Sequence, residues 1–355
     1  MRPDIRPPHA IDAEWLTVVL EKGGVDAVVD RITARRIGTG QIGDSVRFEI
    51  GYAHAPVDEP TSLVGKFPAA GEDSRATGVR LGNYLREVRF YQELAPTARI
   101  CTPRTWYAEV DEDTHDFVLM MDDLAPAEPG DQLKGVTLEQ ARRVIVEAAK
   151  LHASHWGDER LDALSWVSGS RASPPSAATD ATVAMLWRAF KARYGERLAP
   201  AWIDVGDWLA LNFIRVASPR GGTRCLTHND FRPDNMMFAS DRGGAPVTVL
   251  DWQSFAYGVG ATDVAYFLAG ALPRETRRKA EPDLLALYHR TLIAEGVNGY
   301  GEDELARDYA RGGYLLFVTA FFAAMIVTQT SRGDDMFIQM LGSAAQHMLD
   351  HDALV

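Results

Sequence analysis

The segment CLTHNDFRPDNMMF, residues 225–238, sets one histidine, two aspartates and two asparagines between apolar runs, and VTVLDWQ comes shortly after. Polar side chains so placed either satisfy one another or bind something. His228, Asp230 and Asn235 form the pattern H-x-D-x-x-x-x-N, and Asp251 comes sixteen residues after Asn235, directly behind the apolar VTVL. Aspartate and asparagine oxygens are hard ligands of the kind divalent cations take. A positioned aspartate can also accept or orient a proton. The competing reading is a hydrogen-bonded turn that binds nothing.

Upstream, Gly38, Gly40 and Gly43 in GTGQIG spell G-x-G-x-x-G. As the opening of a dinucleotide-binding unit, this loop has to run from a strand into a helix. The loop instead leads into SVRFEIGY, where Val46, Phe48 and Ile50 alternate with Arg47 and Glu49, the period of a half-buried strand. A glycine loop between two strands is how kinases lay backbone amides over ATP phosphates, because any side chain would hold the backbone away. A plain hairpin turn satisfies the same letters. Asp58 and Glu59 stand at the distance at which an oxidoreductase carries its ribose-binding acid, but in a loop.

The elements that would position these residues read as a strand-rich first part and a helical second part. Residues 11–36 read as helical through RITARR, TSLVGKFP as a second strand carrying Lys66, and residues 78–95 as a helix carrying Glu87 with Leu81, Leu85, Val88 and Leu94 on one side. RTWYAEV and DFVLMMDDL form a hairpin across the acidic DEDTH. From residue 137, where Thr137 and Gln140 make a capping box, helices dominate, with a loop at 168–180 and helices at 180–218, 281–296, 303–330 and 334–350. Short strands fall around Arg224–Leu226 and Val247–Leu250. This is an α+β pattern in two parts: residues 1–123, a lobe with glycine loop and hinge, and residues 124–355, a helical lobe.

Bulk properties exclude more than they assign. A formal charge of -12 argues against nucleic acid as the main partner, since phosphate contacts need clustered Lys and Arg. Two cysteines, Cys101 and Cys225, are too few for a disulfide framework and lack metal spacing, which points to a reducing cytosol. No apolar signal region opens the chain. The longest apolar run, YLLFVTAFFAAMIV, is shorter than the roughly 20 residues of a bilayer span and reads as a buried helix. The expectation is a soluble cytoplasmic protein without a membrane partner.

The ordered set GQIGDSVRFEI, SLVGKFP, EVRFY, KLHASHW, HNDFRPDNMMF, LDWQ and DVAYFL resembles the aminoglycoside phosphotransferase superfamily, a protein-kinase-like fold, over roughly residues 11–350. Within it the motifs look most like the ecdysteroid-kinase-like (choline/ecdysteroid) small-molecule kinases. The resemblance implies a bilobal fold, ATP and Mg²⁺ as cofactors, and a small-molecule hydroxyl as phosphate acceptor. It assigns Asp230 to the attacking hydroxyl, Asn235 and Asp251 to Mg²⁺, Lys66 to the phosphates and Glu87 to pairing with Lys66. Backbone around Met121, Asp122 and Asp123 would receive adenine, beside Met120 or Met121. Arg232 falls where many protein kinases place a lysine near the transferred phosphate; an ion pair is the alternative. The resemblance makes His228 a buttress of the loop and Asp263 its buried anchor, and Asp234 reads as solvated.

Several signals point elsewhere or nowhere. His152, His155 and Asp158 in HASHWGD have spacings that suggest a metal site, yet Trp156 and the nearby helix end favour packing. Tyr309, Tyr314, Phe317, Phe321 and Phe322 read as core, with a part in the acceptor wall open to some of them. Asn229 replaces the Arg of H-R-D, Trp252-Gln253 replace the Phe-Gly of D-F-G, and only eleven residues separate Asp251 from Asp263. That leaves no room for an activation loop or a peptide platform, so protein substrates do not fit. A pseudokinase and a dinucleotide-dependent oxidoreductase are the rival readings.

Overall fold

The computed structural model describes residues 4–38, 42–55, 59–168, 177–218 and 222–354. The chain divides into two compact units, the first comprising Met1–Pro96, Thr102–Pro126 and Asp251–Gln253, the second Thr97–Cys101, Ala127–Leu250 and Ser254–Val355. The division is therefore no single cut: Asp251–Gln253 belong with the first unit and Thr97–Cys101 with the second.

The first unit is a five-stranded antiparallel sheet of β1 (Val28–Ile37), β2 (Gly43–His54), β3 (Ser62–Pro68), β4 (Thr105–Val110) and β5 (Phe117–Asp122) in the order β1-β2-β3-β5-β4. Helix α1 (Ala13–Lys22) starts at Asp12, whose side chain accepts the Trp15 N–H at 2.8 Å, and buries Trp15, Leu16, Val19 and Leu20. It ends far earlier than the sequence suggests, at Gly23 and Gly24, the latter at φ +87 where a side chain is strained. RITARR is thus not helical but part of edge strand β1, whose β-branched Val28, Val29, Ile32 and Thr33 suit the pleat. Its arginines also guard an edge that would otherwise pair with other chains.

The expected helix over 78–95 is likewise broken. It forms as α2 (Glu72–Arg80) and α3 (Asn83–Arg89), followed by a π-turn at Phe90–Leu94. Gly82, at φ +66, separates the two, and Leu81 is exposed rather than packed. The buried face of α3 is Asn83, Tyr84, Glu87 and Val88.

The second unit is mainly helical: α4 (Leu138–Ser154), α5 (Ala177–Tyr194), α6 (Pro200–Ala217), α7 (Ala261–Ala271), α8 (Arg274–Ala294), α9 (Glu302–Ile326) and α10 (Ser331–Asp350). The capping box of Thr137 and Gln140 is present at α4. Residues 177–180, expected in a loop, already belong to α5; 169–176 lie outside the described residues. Two small sheets carry the functional loops, one pairing β7 (Cys225–Thr227) with β10 (Ala256–Gly258), the other of β6 (Glu128–Pro129), β8 (Met236–Ser240) and β9 (Gly243–Val249). The core gathers Trp187, Phe190, Phe317 and Phe321, and Trp187 also donates its indole N–H to Asp207 at 2.7 Å. Helix α9 is long and apolar enough to cross a membrane by composition alone, but half of its apolar window is buried and it packs on α5, α7 and α10.

Truncating Trp187 to Ala opens a cavity at this centre and is expected to cost about 3–5 kcal/mol. Thr137→Ala, which removes only a cap, is expected to cost about 1 kcal/mol. Urea unfolding of both variants checks the ratio; equal costs would show that the Trp187 cluster is not the core of this unit.

Candidate active site

In the first unit, β3 alternates: Leu63, Gly65 and Phe67 face the core, and Lys66 lies on the other side. Lys66 Nζ sits 2.7 Å from the Glu87 carboxylate and 3.2 Å from Asp251 Oδ1. Glu87 reaches it because the break at Gly82 resets α3, turning Glu87 inward with only 1 % of its surface exposed. Asp251 arrives by a different route. Residues Asp251–Gln253 are pinned one after another to β3, α3 and the turn after it: Asp251 by Lys66, Trp252 by its N–H to Glu87 and by stacking on Phe90 at 3.9 Å, and Gln253 by its carbonyl accepting Arg86 at 2.8 Å. Asp251 itself sits at φ 64, a left-handed conformation that a short polar side chain tolerates best.

The electrostatics of this trio are decided by number. Burial works to discharge Lys66, but the carboxylates of Asp251 and Glu87 outweigh it, so the ammonium is held above its ordinary pKa. Glu87 goes the other way: burial and the neighbouring Asp251 push its carboxyl up to about 7 against the pull of Lys66. Two acids share one cation, and the buried one yields.

The other sequence-predicted residues of this unit are spread along the sheet. Gly38 stands at φ +69 in open surroundings, so glycine is favoured there for its conformation; a Cβ on Gly43 would lie 3.1 Å from the Phe67 carbonyl, a tight contact that the neighbouring strand would have to ease by a few tenths of an ångström. Gly40 lies outside the described residues. The loop joins β1 to β2, so the helix that a dinucleotide fingerprint requires after Gly43 is replaced by a strand. Met120 and Met121 are buried at the end of β5. The Asp122 and Asp123 side chains are committed: Asp122 accepts the Trp106 indole N–H, and Asp123 accepts Arg47, Ser62 and the Ala125 N–H. The Asp122 N–H donates to the Arg104 carbonyl at 3.0 Å, which removes it from the set that could meet a ligand.

In the second unit, the loop after β7 is held by Asp263 of α7, whose two oxygens accept the N–H groups of His228 at 2.6 Å and Asn229 at 2.9 Å. Asn229 is forced to φ 64. His152 Nε2 lies 3.2 Å from the same carboxylate, while its Nδ1 meets the Tyr288 hydroxyl at 2.8 Å. His228 donates from Nε2 to the Leu250 carbonyl at 2.8 Å, which leaves Nδ1 to accept the Asp230 N–H at 3.3 Å. It buttresses the loop from inside.

Asp230 is then fixed at both oxygens. Oδ2 accepts from Asn235 Nδ2 at 2.8 Å, and Oδ1 accepts from the Tyr266 hydroxyl at 2.8 Å and lies 3.0 Å from Arg232 Nε. Burial alone would raise this carboxyl; the Arg232 charge with the Tyr266 and Asn235 bonds holds it below the usual aspartate range. Asn235 Nδ2 donates to the Asp230 carbonyl as well, so the amide is locked with its oxygen facing away, free of these bonds. The chain runs from Leu250, whose N–H is held by the Asn235 carbonyl, straight into Asp251.

Arg232 is in an ion pair, to Asp230 and to Asp234 at 3.2 Å. Asp234 is not a solvated loop residue: it accepts the Gln132 N–H at 2.8 Å and also pairs with Arg332, which reaches Asp131 at 3.0 Å. A loop carboxylate whose partners come from distant segments leaves no mark in the sequence. Tyr266 also escapes a reading of the sequence, although its spacing of three from Asp263 on α7 puts both on one helical face.

In the second unit, members of both clusters of candidate metal ligands are engaged in other contacts. His152 and His155 turn to different partners, His155 to Thr97 at 3.2 Å. Glu281, His347 and His351 bring their ligand atoms within 4.8 Å of one another, but Arg277 Nη1 already sits 2.7 Å from Glu281 and 3.3 Å from His347 Nδ1. Burial drives His347 down to about 3, so it stays neutral and the guanidinium supplies the positive charge.

The sequence profile of the phosphotransferase enzyme family (APH) matches residues 57–305, well over half of the chain. The protein belongs to that family. Among solved structures, this phosphotransferase is similar to an ethanolamine kinase from Plasmodium vivax, with 12% identity over 91% of this chain and 83% of that one and a TM-score of 0.52. It is also similar to the GDP complex of wild-type aminoglycoside 2'-phosphotransferase-IIIa, with 13% identity over 95% of this chain and 98% of that one and a TM-score of 0.50. At such identities the likeness is one of fold, the kinase-like combination of an antiparallel sheet and a helical part. No curated protein sequence matches the phosphotransferase.

The raised Glu87 carboxyl makes a stability prediction. Between about pH 4.5 and 7 the folded state keeps a proton that the unfolded chain has released, so this group's contribution is full below pH 4.5 and is lost as pH rises to about 7. The stability of the parent relative to Glu87→Gln is therefore expected to fall by about 1–3 kcal/mol across that window. Urea titrations at half-unit steps measure it, and a difference that stays flat or rises would contradict the assignment.

Proposed function

We propose that the protein is an ATP- and Mg²⁺-dependent kinase that moves the γ-phosphate of ATP to a hydroxyl group of a small molecule. The observation that carries this reading is the loop from His228 to Asn235, which presents an ionised Asp230 and, locked by the same bonds, the Asn235 amide oxygen. Phosphoryl transfer asks little covalent chemistry of a protein and much positioning and charge neutralisation. The acceptor hydroxyl oxygen attacks the γ-phosphorus, the bond to the β-γ bridging oxygen breaks, and ADP leaves with that electron pair. Asp230 orients the hydroxyl and takes its proton. With its pKa below the ordinary range it is a weak base, so its share is orientation first and proton acceptance late in the step.

Lys66, kept charged by Glu87 and Asp251, is the cation for the phosphates. Asp251 and Asn235 offer the oxygen ligands that Mg²⁺ favours, and Mg²⁺, when bound, neutralises charge on the triphosphate. Gly38, Gly40 and Gly43 supply the loop over the phosphates, and backbone of Met121 and Asp123 the adenine contact beside Met120. Arg232 is poised to trade its pairing with Asp230 for the transferred phosphate. The motif order favours the ecdysteroid-kinase-like branch, and the acidic, cysteine-poor composition favours a cytoplasmic enzyme.

Thermal shift separates this from the rivals: Mg-ATP is expected to stabilise the protein, and stabilisation by NAD alone would overturn the assignment. In an ATP-consumption screen over hydroxylated metabolites and antibiotics, Asp230→Asn is expected to abolish turnover and leave nucleotide binding largely intact. Turnover at the parent rate in that variant would remove Asp230 from the reaction. ATP binding with no turnover on any acceptor would favour a pseudokinase.

A further inference from the structure

The kinase reading assigns Asp230 and leaves its nearest neighbour on α7 without a role. Tyr266 is fully buried, yet its hydroxyl reaches out of the apolar face of α7 to Asp230 Oδ1 at 2.8 Å. Arg232 Nε lies 3.0 Å from the same oxygen, but its N–H is not aligned on it as a hydrogen bond. Tyr266 is therefore the side chain that directs a hydrogen bond at Oδ1, as Asn235 is at Oδ2. Its hydroxyl accepts in turn from Thr319 of α9. Three residues apart on one helix, Asp263 holds the loop's backbone and Tyr266 holds its working side chain.

We infer that Tyr266 is a positioning residue for phosphoryl transfer, fixing the plane of the Asp230 carboxylate through the chain Thr319–Tyr266–Asp230. A carboxylate tied at one oxygen only can rotate about its Cβ–Cγ bond, and terminal torsions of this type are broad. Tied at both, it keeps its remaining lone pairs aimed in one direction for the acceptor hydroxyl. Burial pushes the Tyr266 phenol well above its ordinary pKa, so it donates at every pH at which the protein is folded and never competes as a base. A phenylalanine at 266 would fill the same apolar space, which makes the hydroxyl, not the ring, the functional part.

This rests on the kinase reading, and the test separates the two. The parent, Tyr266→Phe and Asp230→Asn are compared, each checked for its fold by circular dichroism. Turnover and KM for ATP are measured on the same proteins, with water as acceptor or with a substrate from the screen. The expected result is a kcat lowered roughly tenfold or more in Tyr266→Phe with KM for ATP unchanged. Thr319→Val is expected to lower kcat by less, again with KM for ATP unchanged, and it carries the test if Tyr266→Phe does not fold. A kcat unchanged in the folded variant, or a loss that falls on KM for ATP instead, would overturn the inference. If Asp230→Asn itself turns over like the parent, the kinase reading fails instead.

Discussion

A single buried carboxylate constrains the second unit of this protein. Asp263 accepts two consecutive backbone N–H groups, from His228 and Asn229, and a third contact from His152. A buried charge is costly unless it is paired or hydrogen-bonded, and donors arranged this way compensate it. The consequence of that arrangement is geometric. Asn229 is held in a left-handed conformation, the turn it makes delivers Asp230 to Tyr266 and Asn235, and His228 braces the turn against Leu250. Each functional group of the loop is placed by where that carboxylate sits.

The first unit solves a different electrostatic problem. Two carboxylates approach one ammonium in a setting that excludes most water, and the competition leaves Lys66 charged and Glu87 inclined to hold a proton. Asp251 sits at the more exposed end of the cluster. In the proposed kinase, Lys66 would meet the phosphates and Asp251 would offer an oxygen to the divalent cation. Ionisable groups perturbed by burial and a specific charge partner concentrate at functional sites, and structural ion-pair networks perturb them as well.

The chemistry was more legible in the sequence than the scaffold. His228, Asp230, Asn235, Asp251, Lys66 and Glu87 stand out by type, order and spacing, and the structure gathers them into two tight clusters. The elements between them were harder to read for identifiable reasons. RITARR carries the charge of a surface helix, and its role as an edge strand depends on pairing with β2, which no local pattern shows. The break between α2 and α3 turns on the left-handed backbone of Gly82, a residue that a helical period simply skips. The partners of Asp234 come from residues 132 and 332, and the Tyr266 bond crosses from α7 to the loop, contacts that exist only once the chain is folded.

The proposed activity requires a nucleotide bound through a divalent cation at Asp251. Calorimetric titration of ADP into the parent and into Asp251→Ala, each with and without Mg²⁺, tests this most directly. The account predicts binding in the parent that strengthens at least tenfold with Mg²⁺, and an Asp251→Ala protein in which the Mg²⁺ effect disappears while the fold is kept. Affinity that is the same with and without Mg²⁺ in the parent, or a Mg²⁺ effect that survives in the variant, would contradict it.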